Sequence, residues 1–366
     1  MLTITHLHLK MEEYSMKLRV GMVGCGMITQ KRHAPEYAEN KNVEIYGFFD
    51  NNEERAFELV KQYGGKIYHD TKEMFDDSNI DAISICTPNH MHSDLTIAAL
   101  KAGKHVLCEK PMALSLQESS EMILAAEATG KILMIGHNQR LLPAHRKAKE
   151  VLESGQLGRI LFFQSNFKHS GPENWGVNHS NSTWFFNKAK AQFGVLGDLG
   201  SHKLDIIRYL ITSEVEEIFT TALTVDKRYD NGEFIDIEDT AISLFRMRNG
   251  LTGYMNVSWC NYGSEDNSTV IYCENGVMKI YGDFPEDMVL EMKDGSKIRY
   301  QVGGIATNSN QLRSGIIDEF IDAILKNRTP LITGNDGHNT LAVIVAGLKS
   351  ADTGEWEKVD YSIIGK

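Results

Sequence analysis

Positive charge is scarce in this chain. Its 38 lysines and arginines are outnumbered by 49 aspartates and glutamates, for a net charge of −11. Nucleic acids and anionic membranes are recognised through clustered cations, so neither is an expected partner. Cysteine is sparse too, with 5 in 366 residues. Cys25, Cys86, Cys108, Cys260 and Cys273 form no Cys-x-x-Cys pair, which points to free thiols in a reducing cytoplasm. No apolar run approaches the ~20 residues of a membrane span. Residues 1–16 lack the long apolar core of a secretory signal and read as a weakly ordered extension. Histidines are plentiful, but no His-Glu-x-x-His motif or cysteine cluster accompanies them, so no catalytic metal is expected.

What is present alternates in type. Apolar runs at 18–23, 43–49, 82–86, 105–108 and 132–135 read as strands, and 27–40, 53–63, 93–102 and 116–129 read as helices. Apolar runs without polar alternation imply strands buried on both faces, and strands alternating with helices imply right-handed βαβ units in a parallel, doubly wound sheet. The pattern changes after about residue 158. A strand at 160–167 and a helix at 198–210 precede several alternating strands over 215–302. Asp230-Asn-Gly232, Arg248-Asn-Gly250, Glu274-Asn-Gly276 and Lys293-Asp-Gly295 are hairpin turns by composition, and they predict a mostly antiparallel sheet. Helices at about 310–326 and 336–350 close the chain. The fold class expected is therefore α/β: an N-terminal Rossmann domain over 17–138 and a C-terminal α/β domain over 139–366 with a large, mostly antiparallel open sheet. The final helices are free to pack back on the first domain.

Gly24-Cys25-Gly26 follows the first strand and opens a helix, which is the setting of a dinucleotide turn. The first glycine permits the turn. The second lets backbone approach a pyrophosphate that rests on the helix N-terminus at Met27 and Ile28. Thr29 stands where a third glycine is usual, a change expected to loosen helix–strand packing. Asp50 closes the second strand, where a carboxylate accepts both ribose hydroxyls of NAD and repels the 2′-phosphate of NADP. NAD is the expected cofactor and NADP the less favoured one. The competing role for Asp50 is a helix N-cap, which Asn51 could fill equally well.

Further motifs converge on one family. Gly24-Cys25-Gly26 with His33-Ala34-Pro35, Cys86-Thr87-Pro88-Asn89-His90-Met91-His92, Glu109-Lys110-Pro111, Gly136-His137-Asn138-Gln139-Arg140 and Asp198-Leu199-Gly200-Ser201-His202 resemble, in order and spacing, the Gfo/Idh/MocA oxidoreductases, the glucose–fructose oxidoreductase and inositol dehydrogenase group. The resemblance covers the chain after residue 16. It implies that Lys110 touches both nicotinamide ribose and substrate, that His202 is the catalytic acid/base and that Asp198 is its partner. It also implies that Thr87, Pro88, Asn89, His92, Glu109 and Asn138 line the cofactor, and that a cis peptide before Pro111 aims Lys110 into the cleft. Homodimers or homotetramers formed through the second sheet are implied as well.

The residue chemistry stands beside this. Oxidising an alcohol removes an O–H proton while hydride leaves carbon, and imidazole is the side chain that trades protons near neutral pH. Asp198 and His202 are spaced i and i+4, on one helical face, with Asp205 near it. A cationic Lys110 would steady a developing alkoxide. Taken alone, Asp198 could equally cap its helix and His202 could be a satisfied core histidine. Between 163 and 197, Lys168, His169, Asn174, Trp175, Asn178, His179, Trp184, Phe185 and Phe186 offer the amides and aromatic faces that suit a polyhydroxylated ring. Lys168, His169 and Trp184 are the chosen substrate contacts there, with Trp259, Asn261, Tyr262 and Arg313 as weaker candidates. The leading expectation is an NAD-dependent dehydrogenase of a secondary hydroxyl on a sugar, inositol or related polyol. A sugar enzyme that retains its NAD without net redox, and an NAD- or sugar-sensing regulator, are the alternatives.

Overall fold

Six short strands form the first sheet of the computed structural model, which describes residues 17–175, 183–282, 285–305 and 313–366. They are β1 (Leu18–Val23), β2 (Val43–Phe49), β3 (Lys66–Ile67), β4 (Ala82–Ile85), β5 (His105–Cys108) and β6 (Leu133–Ile135), all parallel, in the order β3-β2-β1-β4-β5-β6. Helices α1 (Ala34–Glu39), α2 (Glu53–Tyr63), α3 (Thr71–Asp76), α4 (His92–Lys101) and α5 (Leu116–Thr129) connect them. Every residue of β4 and β6 is buried, which is why β6 reads as an unbroken apolar run and β4 as one interrupted only by Ser84. Strand order reverses between β1 and β4, and the crevice beyond their C-terminal ends is where doubly wound sheets bind ligands. Two short elements, β3 and α3, escaped the sequence reading because neither is long enough to show a period. A π-helical turn, Thr29–His33, precedes α1 within the expected helix.

The second sheet has nine strands: β7 (Ile160–Lys168), β8 (Val215–Leu223), β9 (Thr240–Met247), β10 (Thr252–Ser258), β11 (Thr269–Cys273), β12 (Gly276–Ile280), β13 (Met288–Met292), β14 (Lys297–Tyr300) and β15 (Glu357–Lys358). Their order is β14-β13-β12-β11-β7-β10-β9-β8-β15, antiparallel throughout except for the central parallel pair β7–β10. Three of the four expected turns join β9 to β10, β11 to β12 and β13 to β14, with Gly250 and Gly295 at positive φ as such turns require, while Asn231-Gly232 closes only a single bridge between Arg228 and Phe234 in the link from β8 to β9. One face is covered by α8 (Val195–Ile211), which follows α6 (Pro143–Glu153) and the short α7 (Lys188–Ala191).

The last helices, α9 (Ile316–Leu325) and α10 (Gly334–Thr353), reach the first sheet's domain. Ser119 on α5 pairs with His338 on α10 at 2.9 Å, and Asn40 donates to Asp318 at 2.8 Å. Arg140 pins three elements together: it donates to Asp205 on α8, to Asp336 in the first turn of α10 at 2.9 Å, and to the Leu331 carbonyl at 2.9 Å. Asp205 is therefore a structural anchor for Arg140 and not part of the reactive face, as its spacing from His202 had suggested.

Candidate active site

The glycine turn sits at the switch point. Gly24 has φ +91°, and a Cβ there would lie 2.6 Å from the Cys86 carbonyl at the end of β4. At Gly26 a Cβ would meet nothing within 4 Å, so the backbone is bare toward the crevice. Thr29 corrects an expectation: its hydroxyl donates to the Gly24 carbonyl at 2.6 Å and is fully buried, so it ties the turn down and does not loosen it. Asp50 accepts from the Cys25 N–H at 2.7 Å and from the Asn52 N–H at 2.7 Å, which fixes its carboxylate against the turn. The α2 N-cap is Asn52, not Asp50 or Asn51. A cavity of about 880 Å³ opens from this turn. Gly24, Gly26, Met27, Ile28, Asp50, Thr87, Pro88, Asn89, Glu109, Lys110 and Asn138 all line it. An uncluttered glycine turn on a helix N-terminus with a fixed carboxylate beside it fits a dinucleotide. His92 does not line the cavity. It lies beneath the loop, its ring nitrogens 2.8 Å from the Pro111 carbonyl and 2.9 Å from the Thr87 carbonyl, and acts as a brace.

Below the cavity floor is a buried polar network the sequence reading did not assign. His33 lies 2.8 Å from Glu109 and 3.1 Å from Ser84, and Ser84 is 2.8 Å from the Tyr37 hydroxyl. Burial opposes charge on both partners, yet each holds the other's charge. His33 is raised by Cys86 and Glu109, and Glu109 is lowered by its bond and charge contact with His33. His33 ends the π-helical turn, and Glu109 directly follows β5. The His33-Ala34-Pro35 motif carried the signal, without a role.

The reactive end is built by β5 and α8. The Lys110–Pro111 bond is cis. The Lys110 ammonium donates to Asp198 Oδ1 at 2.8 Å, and the other oxygen, Oδ2, accepts from the Trp259 indole N–H at 3.1 Å. Asp198 is thus the partner of Lys110, a correction to its expected pairing with His202. The His202 Nδ1 is buried and has no hydrogen-bond partner. Burial, then the Lys110 charge, push the His202 ring well below its ordinary value, so it is neutral at pH 7. Asp198 does not cap α8 either: that helix starts at Val195, and the Glu238 carboxylate accepts from the Gly194 N–H at 2.9 Å and the Leu196 N–H at 3.1 Å.

Lys110, Asp198 and His202 share the cavity with His169, Trp175, Trp184 and Phe185. His169 Nδ1 accepts from the Gly171 N–H at 2.9 Å, so the proton of the neutral ring is on Nε2. Burial lowers this ring to about 4. Trp184 stacks on Phe185 with centroids 4.0 Å apart. Lys168 is a correction. Alternation along β7 brings Phe167 to the cavity and turns Lys168 away to Asp266 at 3.1 Å. Asn261 bonds the Ser264 carbonyl at 2.8 Å, Tyr262 bonds Asp226, and Arg313 pairs with Glu39 and Asp318, so none of these lines the cavity. Phe186 is core, packed on Trp259. Asn174 is absent from the wall, and Asn178 and His179 lie outside the described residues. Arg32, Gln139, Leu142 and Glu265 line it without having been foreseen. Gln139 was quoted in a motif, but nothing local marks Glu265 or Arg32. Among the described residues no group of His, Cys, Asp or Glu could hold a metal ion, and no helix is long and apolar enough to cross a membrane.

Fold and cavity together define a class: an α/β chain whose dinucleotide turn shares one cavity with Lys110, Asp198 and His202. The chain belongs to the GFO/IDH/MocA oxidoreductase family, matching its NAD-binding Rossmann-fold domain over residues 18–137 and its C-terminal domain over residues 145–279. It is 27% identical to the myo-inositol 2-dehydrogenase of Thermotoga maritima, covering 92% of this chain and 96% of that one. To the D-glucoside 3-dehydrogenase of Escherichia coli K12 it is 26% identical, covering 93% and 97%. Among solved structures, a levoglucosan dehydrogenase in complex with NADH and L-sorbose superposes with a TM-score of 0.84 at 26% identity, over 94% of this chain and 99% of that one. The protein is thus an NAD-binding oxidoreductase of a family that includes sugar and inositol dehydrogenases.

Proposed function

We propose that the protein oxidises a secondary hydroxyl of a sugar, inositol or related polyol, with residues 17–138 binding NAD and 139–366 supplying the substrate wall. NAD, when bound, supplies the hydride acceptor. Gly24, Gly26 and the N–H groups at Met27 and Ile28 would hold its phosphates, and Asp50 its ribose hydroxyls. The substrate O–H proton passes to the neutral His202 ring as the C–H hydride departs, so proton and electron pair are both accounted for. The Lys110 ammonium steadies the oxygen as negative charge develops, and Asp198 fixes the ammonium in place. Trp184, Phe185 and the His169 N–H suit the C–H faces and hydroxyls of a polyol ring.

The observation that carries this reading is the shared cavity: the dinucleotide turn, the Lys110–Asp198 pair and His202 all face it. A panel of inositols, hexoses, pentoses and sugar acids with NAD and with NADP, followed by nicotinamide absorbance, tests it. At least one polyol should give free NADH with NAD preferred, and Lys110→Ala should lower kcat/KM for it by about 10²–10⁴-fold. Reduction with none of the panel, or full activity in Lys110→Ala, would sink the reading. A homodimer or homotetramer through the open sheet face belongs to the same proposal, supported by the outward Leu161, Leu223, Ile242 and Leu244, which are 45–51% exposed. A cytoplasmic location is supported by five cysteines that are all free.

A further inference from the structure

Trp259 is 0% exposed and follows β10, with its backbone N–H locked to the Asp239 carbonyl at 2.8 Å. Its indole N–H does not point into apolar packing. It reaches Asp198 Oδ2 at 3.1 Å, the oxygen that Lys110 leaves free. We propose that Trp259 is a positioning residue for the proton-handling pair: its N–H holds one oxygen of Asp198 so that the other is presented to Lys110 in a single geometry.

A carboxylate on a short side chain is free to turn about its last bond, and a lone ammonium on a flexible stem does not stop it. One donor on each oxygen fixes the plane. The same indole packs under Phe186 with ring centroids 5.9 Å apart, and the Phe186 carbonyl accepts from the Tyr229 hydroxyl at 3.1 Å. Phe186 closes the turn whose first two residues, Trp184 and Phe185, face the cavity. The indole therefore stands between the substrate wall and the Lys110–Asp198 pair, and links their positions. A residue serving only as core filler would need the ring and not the N–H.

This inference rests on the dehydrogenase reading, and its test separates the two. Trp259→Phe keeps an aromatic ring and removes the donor. Its kcat/KM for the oxidised polyol should fall about tenfold, while the Kd for NADH stays within about twofold, since the indole does not line the cavity. The loss should fall on kcat with KM little changed, since the carboxylate orients the ammonium that meets the developing charge and touches no remote part of the substrate. In an Asp198→Asn background, adding Trp259→Phe should change kcat/KM by less than about twofold, because the route runs through the carboxylate. A tenfold loss that persists in that background, or a loss that falls on KM with kcat unchanged, would overturn the proposal. If Trp259→Phe fails to fold, benzothienylalanine at 259, with sulfur in place of the N–H, carries the same readouts. Absence of NADH formation by the unaltered enzyme with every polyol would instead count against the dehydrogenase reading itself.

Discussion

At Gly24 a side chain has nowhere to go, because φ is +91° and the Cys86 carbonyl would be 2.6 Å from a Cβ. Gly24→Ala should cost about 1–3 kcal/mol of stability and weaken NADH binding, read by denaturant unfolding and fluorescence titration. An alanine variant that binds NADH normally would contradict the assigned turn. The proposed role of Asp50 is to repel a 2′-phosphate, so Asp50→Ser should lower the NAD-to-NADP preference in kcat/KM by at least about tenfold. His202 gives a pH test. Its ring is neutral until well below pH 6.5, so oxidation should hold from neutrality down through 6.5 and decline only beyond it. A limb in kcat/KM centred at or above 6.5 would contradict that. Residue identities at the turn and at Glu109-Lys110-Pro111 were legible because each motif is local. The Lys110–Asp198 pairing was not, since strand end and helix lie far apart in sequence. Lys168 could have been excluded: alternation on a strand cannot bring Phe167 and its neighbour to the same face.

The helix that carries Asp198 and His202 is held at its start by a residue from elsewhere. Glu238, just before β9, accepts from two N–H groups in the first turn of α8. Glu238→Ala should cost about 0.5–2 kcal/mol, and because the helix end positions Asp198, kcat should fall with it. Thermal unfolding and steady-state kinetics on the same sample check both. A variant that loses stability but keeps kcat would show that the cap and the site are independent. This explains why the expected start at Asp198 fell three residues short of Val195: the cap is supplied through tertiary structure and leaves no local signature. Some elements with their own side-chain caps were read to the residue. α5, from its Ser115 cap to Gly130, is one such element, and α2 is another. α6 was missed although its apolar stripe is regular: it opens after Leu142, which makes no side-chain capping bond, so no cap residue marks its start.

For the whole molecule, buried neutral histidines set the acid limit. Burial lowers His145 to about 3 and His169 to about 4. Above pH 6.5 neither the folded nor the unfolded chain protonates them, so they exact nothing. As pH falls below 6.5 the unfolded chain takes up protons that the fold refuses, at up to ~1.4 kcal/mol per unit for each. The melting temperature should therefore drop steadily between pH 6.5 and 4, and a flat profile there would contradict the burial of these rings. The sheet's outer face makes a second claim at this scale. Ile242→Lys with Leu244→Lys should turn an oligomer into a monomer in sedimentation, and an unaltered chain that is monomeric at micromolar concentration would refute that face as an interface. The two-sheet architecture was legible from the switch between unbroken and alternating apolar runs. The parallel β7–β10 pair at the sheet centre was not, because hairpin signals report neighbours in sequence only. The central claim is that one substrate oxygen meets both Lys110 and His202 beside a bound nicotinamide. A structure of the ternary complex with NADH and an oxidised polyol's parent measures it directly. The account predicts the Lys110 ammonium and the His202 ring within hydrogen-bonding distance of the same hydroxyl, whose carbon faces the nicotinamide ring. Contacts from these two side chains to different groups, or a substrate carbon facing away from the nicotinamide, would contradict it.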